Sequence, residues 1–240
     1  MIKTASEIYN DLLNEYNIKD LKGQIKFHLG DVSIIVRRRD VVGNIIQEWV
    51  EGWLKDNDIE FDPSDNTQMP PDVYLVPDNH TTGLLEIKAF NREASPAFDI
   101  ADFKAFTKEL INKPYFLDTD FLIFGYRMYD NGDVIIEDVW LKKIWEISRP
   151  MHDWPLTVQY KNGIVHKIRP ANWYTKKGKF PLFESKTDFL SAFEEMVYQN
   201  PETRSDSGQW ANRFKRSYRN HYGEDISFPR WNDIKGCYGL

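Results

Sequence analysis

Pro71-Asp72-Val73-Tyr74-Leu75-Val76, followed by Leu84-Leu85-Glu86-Ile87-Lys88-Ala89-Phe90, is the stretch on which the reading of this chain turns. Two apolar runs, Val73–Val76 and Leu84–Phe90, are joined by PDNHTTG, a turn-forming segment, and read as an antiparallel pair of strands. Asp72 opens the first. Glu86 and Lys88 lie inside the second, two apart and therefore on one face, with Leu85 and Ile87 on the other. Charged side chains within an otherwise apolar run need a partner or a metal ion. If the strands pair across their turn, Asp72 comes beside Glu86. Two adjacent carboxylates repel, and one stays protonated near neutral pH unless a cation intervenes. Hard carboxylate oxygens suit Mg²⁺, which keeps positions for water and substrate phosphate. A lysine beside such an ion can orient or deprotonate an attacking water and stabilise charge on phosphorus.

Outward from this stretch, the pattern predicts alternating elements. Upstream lie a helix over residues 5–17 and short strands at Ile25–Phe27 and Ile34–Val36 around Gly30–Asp31. A helix over Val41–Lys55 follows, with Asp40 as its cap and Asn44, Glu48 and Glu51 off the apolar stripe. A possible strand lies near Ile59–Phe61, and Asp62–Pro71 reads as a loop. Downstream come a helix over Asp99–Asn112 closed by Pro114, and a buried strand at Phe121–Tyr129. Val134–Ile147 continues as strand after the Asn131–Gly132 turn. A hairpin at Thr157–Tyr160 and Ile164–Ile168 surrounds Asn162–Gly163. Helices over Asp188–Gln199, capped by Ser185 or Thr187, and Ser207–Tyr222 complete the chain. No linker separates halves, so the expectation is one α/β domain over residues 1–240.

The 240 residues are 41% hydrophobic and 28% charged, with 15% aromatic, enough for a packed core. No apolar run is long enough to span a membrane, and the opening MIKTASEIYNDLLNEYNIKD has no signal-like segment, so a cytoplasmic protein is expected. The single cysteine, Cys237, excludes an internal disulfide and a cysteine-rich zinc site. There is no HExxH and no phosphate-binding GxxxxGK[ST] loop, and the five histidines share no ligand spacing. The net charge of −6 hides an asymmetry. Residues 1–140 hold 14 Lys and Arg against 26 Asp and Glu, while residues 141–240 hold 17 against 11. An acidic half can gather cations and a basic half can face phosphates.

Pro71 and Asp72, with Glu86 and Lys88, resemble the PD-(D/E)xK nuclease signature, and the order of elements over roughly residues 40–130 is similar to that superfamily's core of helix, three antiparallel strands, helix and strand. The segments GNIIQEW (43–49), EIKAFN (86–91), FDIADFKAF (98–106) and RPANWY (169–174) together resemble the NgoBV-type group of type II restriction endonucleases. The resemblance implies a restriction-endonuclease-like α/β core, a mixed central sheet flanked by helices, with a basic C-terminal DNA-binding elaboration over residues 141–240. It implies Mg²⁺-dependent, sequence-specific cleavage of double-stranded DNA to 5′-phosphates, with Mn²⁺ able to substitute. Asp72 and Glu86 would hold the metal and Lys88 would act on the water. It further implies a homodimer on palindromic DNA and a cognate DNA methyltransferase that protects the host. Relatives of this fold often carry a helix residue that reaches a metal-bound water. Glu48 is favoured for this role, with Gln47 and Glu51 as alternatives and a solvated Glu48 as the plain reading.

Candidate DNA contacts are Arg37, Arg38 and Arg39 before the helix, and Asn91 and Arg92 after the motif strand. The segment Asn172, Trp173, Lys176, Lys177 and Lys179 mixes basic, aromatic and amide side chains. GQWANRFKRSYRNHY supplies Gln209, Asn212, Arg213, Lys215, Arg216 and Arg219, of which the arginines recur at helical spacing. Each of these also reads as a solvated surface. Two rival functions remain at this level: a repair or junction-resolving nuclease on the same core, and a non-catalytic DNA-binding protein on a decayed one.

Overall fold

The computed structural model describes residues 1–65, 69–175 and 178–240. The chain forms two compact units that interleave along the sequence. The first comprises Met1–Ser64, Asp72–Phe98 and Asp120–Lys142, and the second Asp65–Pro71, Asp99–Thr119 and Lys143–Leu240. The helix expected over Asp99–Asn112 as part of the catalytic core thus falls in the second unit.

In order, the first unit opens with α1 (Ala5–Asn10), capped by Thr4 and continued as one π turn to Glu15. Strand β1 (Lys22–Gln24) and the hairpin β2 (Lys26–Leu29) and β3 (Val32–Ile35) follow, then α2 (Val42–Asp56). Strands β4 (Asp62–Pro63), β5 (Val73–Tyr74) and β6 (Leu84–Asn91) come next. The chain passes into the second unit at β7 (Ala101–Asp102) and α3 (Phe103–Asn112). It returns as β8 (Asp120–Met128) and β9 (Asp133–Lys142). The remainder of the second unit holds β10 (Val158–Lys161), β11 (Ile164–Ile168), α4 (Lys186–Gln199), α5 (Arg204–Tyr222) and α6 (Trp231–Ile234).

The first unit is a curled mixed sheet, ordered β1-β9-β8-β6-β5-β4, flanked by helices. All its neighbours are antiparallel except β6 and β8, which run parallel. A parallel pair requires a long crossover, and here that crossover is the excursion through α3. Helix α2 forms because Val42, Ile46, Val50, Trp53 and Leu54 recur at helical spacing and bury one stripe. That stripe joins Ile8 and Leu12 beside α1 and Leu85, Ile87, Leu122 and Phe124 of the sheet in one core. The alternation read from LLEIKAF therefore holds: Leu85 and Ile87 enter this core, leaving Glu86 and Lys88 to the opposite face.

The second unit packs around aromatic side chains. Phe103 and Phe106 of α3 meet Phe193 of α4, which meets Trp210 of α5, and Trp210 stacks on Phe214. The buried indole of Trp210 donates to the Thr107 carbonyl at 2.9 Å, so the polar atom is satisfied.

Several boundaries differ from the sequence reading. Asp40 does not cap α2. Its carboxylate is taken by Arg38 at 2.8 Å, and the N-cap position is Val41, without a side-chain cap. A bidentate arginine outcompetes a single amide donor for the same oxygens. Asp102 caps α3, accepting from Ala105 N–H at 2.9 Å, so the preceding residues extend as β7. Strand β9 ends at Lys142, and Ile144–Ile147 forms a 3₁₀ turn. Part of the segment read as a loop pairs as β4. Its residues 66–68 lie outside the described residues.

Candidate active site

The site arises where β5 meets β6. Val73 pairs with Leu85 and Tyr74 with Leu84, so Asp72, one step beyond the last pair, stands opposite Glu86. The Asp72 amide donates to the Leu85 carbonyl at 3.1 Å. Its carboxylate is held on both sides: Oδ2 accepts from the Ile87 amide at 2.7 Å, and Oδ1 from the Gln47 side chain at 3.0 Å. Gln47 reaches it from α2, one turn before Glu51, whose charge Asp72 also feels.

Glu86 is buried, its side chain 5% exposed. Oε1 lies 2.5 Å from the Lys88 ammonium, which stays partly open to solvent. Oε2 is buried with no hydrogen-bond partner. Burial pushes the Glu86 carboxyl up to about 7. Lys88 opposes that rise, and the neighbouring Asp72 adds to it. Burial also raises Asp72, against the pull of Lys88 and of its two hydrogen bonds. The structure thus brings Asp72, Glu86 and Lys88 into one cluster, which has a negative excess in a dry place.

The donor set fits a hard cation. It is all oxygen, and Glu86 Oε2 has an unused acceptor position. Among the described residues no three His, Cys, Asp or Glu side chains group to hold an ion. A two-carboxylate site suits Mg²⁺, which keeps several waters and takes substrate phosphate, and does not suit zinc.

Glu48 requires a correction. It lies exposed on α2, whereas Gln47 and Glu51 turn toward Asp72. One residue along a helix rotates the side chain by about 100°, which separates Glu48 from its neighbour Gln47.

The candidate DNA contacts divide. Arg37, Arg38 and Arg39 are exposed, with Arg38 paired to Asp40 and Arg39 to Glu93 at 2.7 Å. Asn91 ends β6, its side-chain oxygen accepting from the Glu93 amide. Arg92 pairs with Asp138 at 2.8 Å and lies over the Trp140 ring. On α5, Gln209, Asn212, Arg213 and Arg216 are all exposed at spacings of three and four, opposite buried Trp210, Phe214 and Tyr218. Lys215 lies over the Phe228 ring, and Arg219 is paired with Asp225. Lys179 is exposed, Asn172 and Trp173 are half-buried, and Lys176 and Lys177 lie outside the described residues. Arg149 was not singled out in the sequence. It lines a cavity with Asn172, Thr175 and Lys179, and burial pulls its guanidinium below the usual arginine range. A β-carbon at Gly178 would collide with that guanidinium. Nothing in the pattern around Arg149 marks it.

A carboxylate pair and a lysine on adjoining strands of a mixed sheet, with a helix residue holding one carboxylate, form the arrangement that the resemblance to the PD-(D/E)xK signature leads one to expect. The sequence profile of the NgoBV restriction endonuclease family matches residues 2–238, and the chain belongs to that family. It is 56% identical over 240 residues to the type II restriction enzyme NlaIV of Neisseria lactamica, covering 99% of both chains. It is 54% identical over 164 residues to the type II restriction enzyme NgoBV of Neisseria gonorrhoeae, covering 68% of this chain and 93% of that one. The solved structure of NlaIV restriction endonuclease superposes with a TM-score of 0.96 at 55% identity, over 99% of this chain and 97% of that one. Among the described residues no helix is long and apolar enough to cross a membrane.

Proposed function

We propose that this type II restriction endonuclease hydrolyses double-stranded DNA at a specific site with Mg²⁺, leaving 5′-phosphates, and that Asp72, Glu86 and Lys88 carry the chemistry. The observation that carries the reading is Glu86: a buried carboxylate with one unpartnered oxygen, beside a second carboxylate, is unfavourable without a cation. Asp72 and Glu86 would hold the ion. When bound, the ion supplies charge stabilisation at the phosphate and acidifies water.

The protein's own residues do the remaining work. Gln47 and the Ile87 amide hold the Asp72 carboxylate in one orientation, the one in which it would meet an ion. Lys88 supplies a positive charge on the Glu86 face, where it orients the attacking water and stabilises charge developing on phosphorus. The water attacks phosphorus in line as its proton passes to solvent, the bond from phosphorus to the 3′ oxygen breaks, that oxygen takes up a proton from solvent, and the phosphate stays on the 5′ side. The exposed face of α5, with Gln209, Asn212, Arg213 and Arg216, is suited to base edges, since Arg reads guanine and Asn or Gln reads adenine. We read the enzyme as a homodimer on a two-fold site, paired with a methyltransferase that protects host DNA.

Incubation with unmethylated phage DNA, with and without Mg²⁺, followed by analysis of the new ends, tests this. Discrete fragments bearing 5′-phosphates are expected only with Mg²⁺. A smear or structure-selective cutting indicates a repair nuclease, and a mobility shift without cleavage indicates a binding protein.

A further inference from the structure

The hairpin β2–β3 carries an apolar face that none of the described residues covers. Its register pairs Phe27 with Ile34 and Leu29 with Val32. These four side chains therefore share one face, and they are 55%, 52%, 72% and 65% exposed respectively. The opposite face rests on the body of the unit through Ile35, which lies so close to Gly132, in the turn between β8 and β9, that no β-carbon fits there. An isolated two-stranded hairpin is marginal in water, and an apolar face of roughly 400 Å² is as large as the patches that mark interaction sites on monomers.

The same unit presents a complementary surface. Tyr16, Leu21, Ile45 and Trp49, each 36–43% exposed, line an apolar groove with Phe124 and Ile136 on its floor, enclosing about 210 Å³. Ile45 and Trp49 belong to the apolar pattern of α2 but lie outside its buried stripe. Ile25, immediately before the hairpin, also lines the groove.

We propose that β2–β3 is a dimer arm whose Phe27, Leu29, Val32 and Ile34 face seats in the Tyr16, Leu21, Ile45 and Trp49 groove of a second copy of this chain, each copy giving and receiving one arm. Three observations select a second copy over DNA or an unrelated protein. The arm and its receiving groove occur on one chain, so a two-fold axis satisfies both at once. The arm, residues 26–35, carries one lysine and one aspartate, no basic excess of the kind a phosphate contact uses. Two arms of roughly 400 Å² with the two grooves they cover bury about 1,600 Å², the standard size of a stable interface. The groove and the active site share α2, with Ile45 and Trp49 in the groove and Gln47 at Asp72. The inference builds on the homodimer reading above by naming the surface.

Sedimentation of the full chain at micromolar concentration, without DNA or Mg²⁺, tests it. The parent should run as a dimer. The double variant Leu29→Lys/Ile34→Lys should melt as a folded protein and associate at least ~100-fold more weakly, the scale of losing a hydrophobic hot spot. In a Cys237→Ser background, mixing Val32→Cys with Ile45→Cys chains should give a disulfide-linked heterodimer on oxidation, and this arm of the test stands even if the lysine variant fails to fold. A monomeric parent, an arm variant that dimerises like the parent, or the absence of the mixed disulfide overturns the proposal. DNA cleavage is scored separately. A chain that dimerises through the arm but cuts no DNA overturns only the functional reading, and one that cuts DNA as an arm-independent dimer overturns only the arm.

Discussion

Lys88 is the most informative single residue, because its ammonium is tied to Glu86 while part of the side chain stays open to solvent. Lys88→Ala should slow single-turnover cleavage by about 10²–10⁴-fold, the scale of a positioned catalytic group. Lys88→Arg keeps the charge but not the base. Retention of most of the rate by that variant would leave only the electrostatic role, and full activity in the alanine variant would remove Lys88 from the mechanism. Gln47 gives a second, finer prediction. Losing its hydrogen bond to Asp72 in Gln47→Leu should cost about 1 kcal/mol of orientation and lower cleavage by roughly fivefold. Glu48→Ala, on the exposed turn, should cut like the parent, and kinetics of the two side by side distinguish the helix faces. The sequence showed Asp72, Glu86 and Lys88 because charge inside an apolar run has no cheap structural explanation. It left Gln47, Glu48 and Glu51 unresolved because all three flank one stripe, and the phase of the helix against β5 is a tertiary fact. Glu86 also predicts a pH effect. Its carboxyl titrates near 7 in the fold against 4.5 ordinarily, so the folded chain holds a proton that the unfolded chain loses in between. Its contribution to stability is full below about 4.5 and is lost as pH rises through 7. Urea titrations of parent and Glu86→Gln without divalent ion should diverge across that window, the parent alone losing stability from this group. Parallel curves would refute the buried-proton assignment.

Among the elements, the helices announced themselves most clearly. α2 begins within one residue of the reading and ends within one, since five buried apolar residues at helical spacing leave no alternative phase. Of the two caps that the sequence offers for α4, Ser185 or Thr187, Ser185 is the one used, accepting from the Asp188 amide at 3.1 Å. Caps with competing partners were less legible. Asp40 is drawn to Arg38, a contact two residues away that propensity does not weigh. The division of Asp99–Asn112 into β7 and α3 depends on pairing of Ala101 with Ile168, far along the chain. Helix α5 supplies the prediction at this scale. Replacing Arg213 and Arg216 together should weaken binding to the cognate site more than to random DNA, and should flatten the salt dependence, as measured by titration at several ionic strengths. Equal losses on both would reduce these residues to phosphate contacts, and no loss would turn attention to Arg149 and Asn172.

For the molecule as a whole, the sequence reading and the structure agree on a mixed α/β architecture with the carboxylate pair on adjoining strands. The two interleaved units were not legible, because the chain crosses between them at Ser64, Pro71, Phe98, Thr119 and Lys142, and which segments return to which unit is set by tertiary contacts. The charge asymmetry maps onto this division imperfectly for the same reason. The exposed arm was also invisible as such: short strands at Ile25–Phe27 and Ile34–Val36 are legible, but whether their apolar face is covered is a property of the folded surface. The central claim is that Asp72 and Glu86 form the metal-dependent centre of DNA cleavage. Single-turnover cleavage of unmethylated phage DNA in Mg²⁺ by the parent, Asp72→Ala and Glu86→Gln, with binding measured in parallel, tests it most directly. Both variants should lose cleavage by several orders of magnitude while keeping their fold and their affinity for DNA, and near-parental cutting by either would contradict the account.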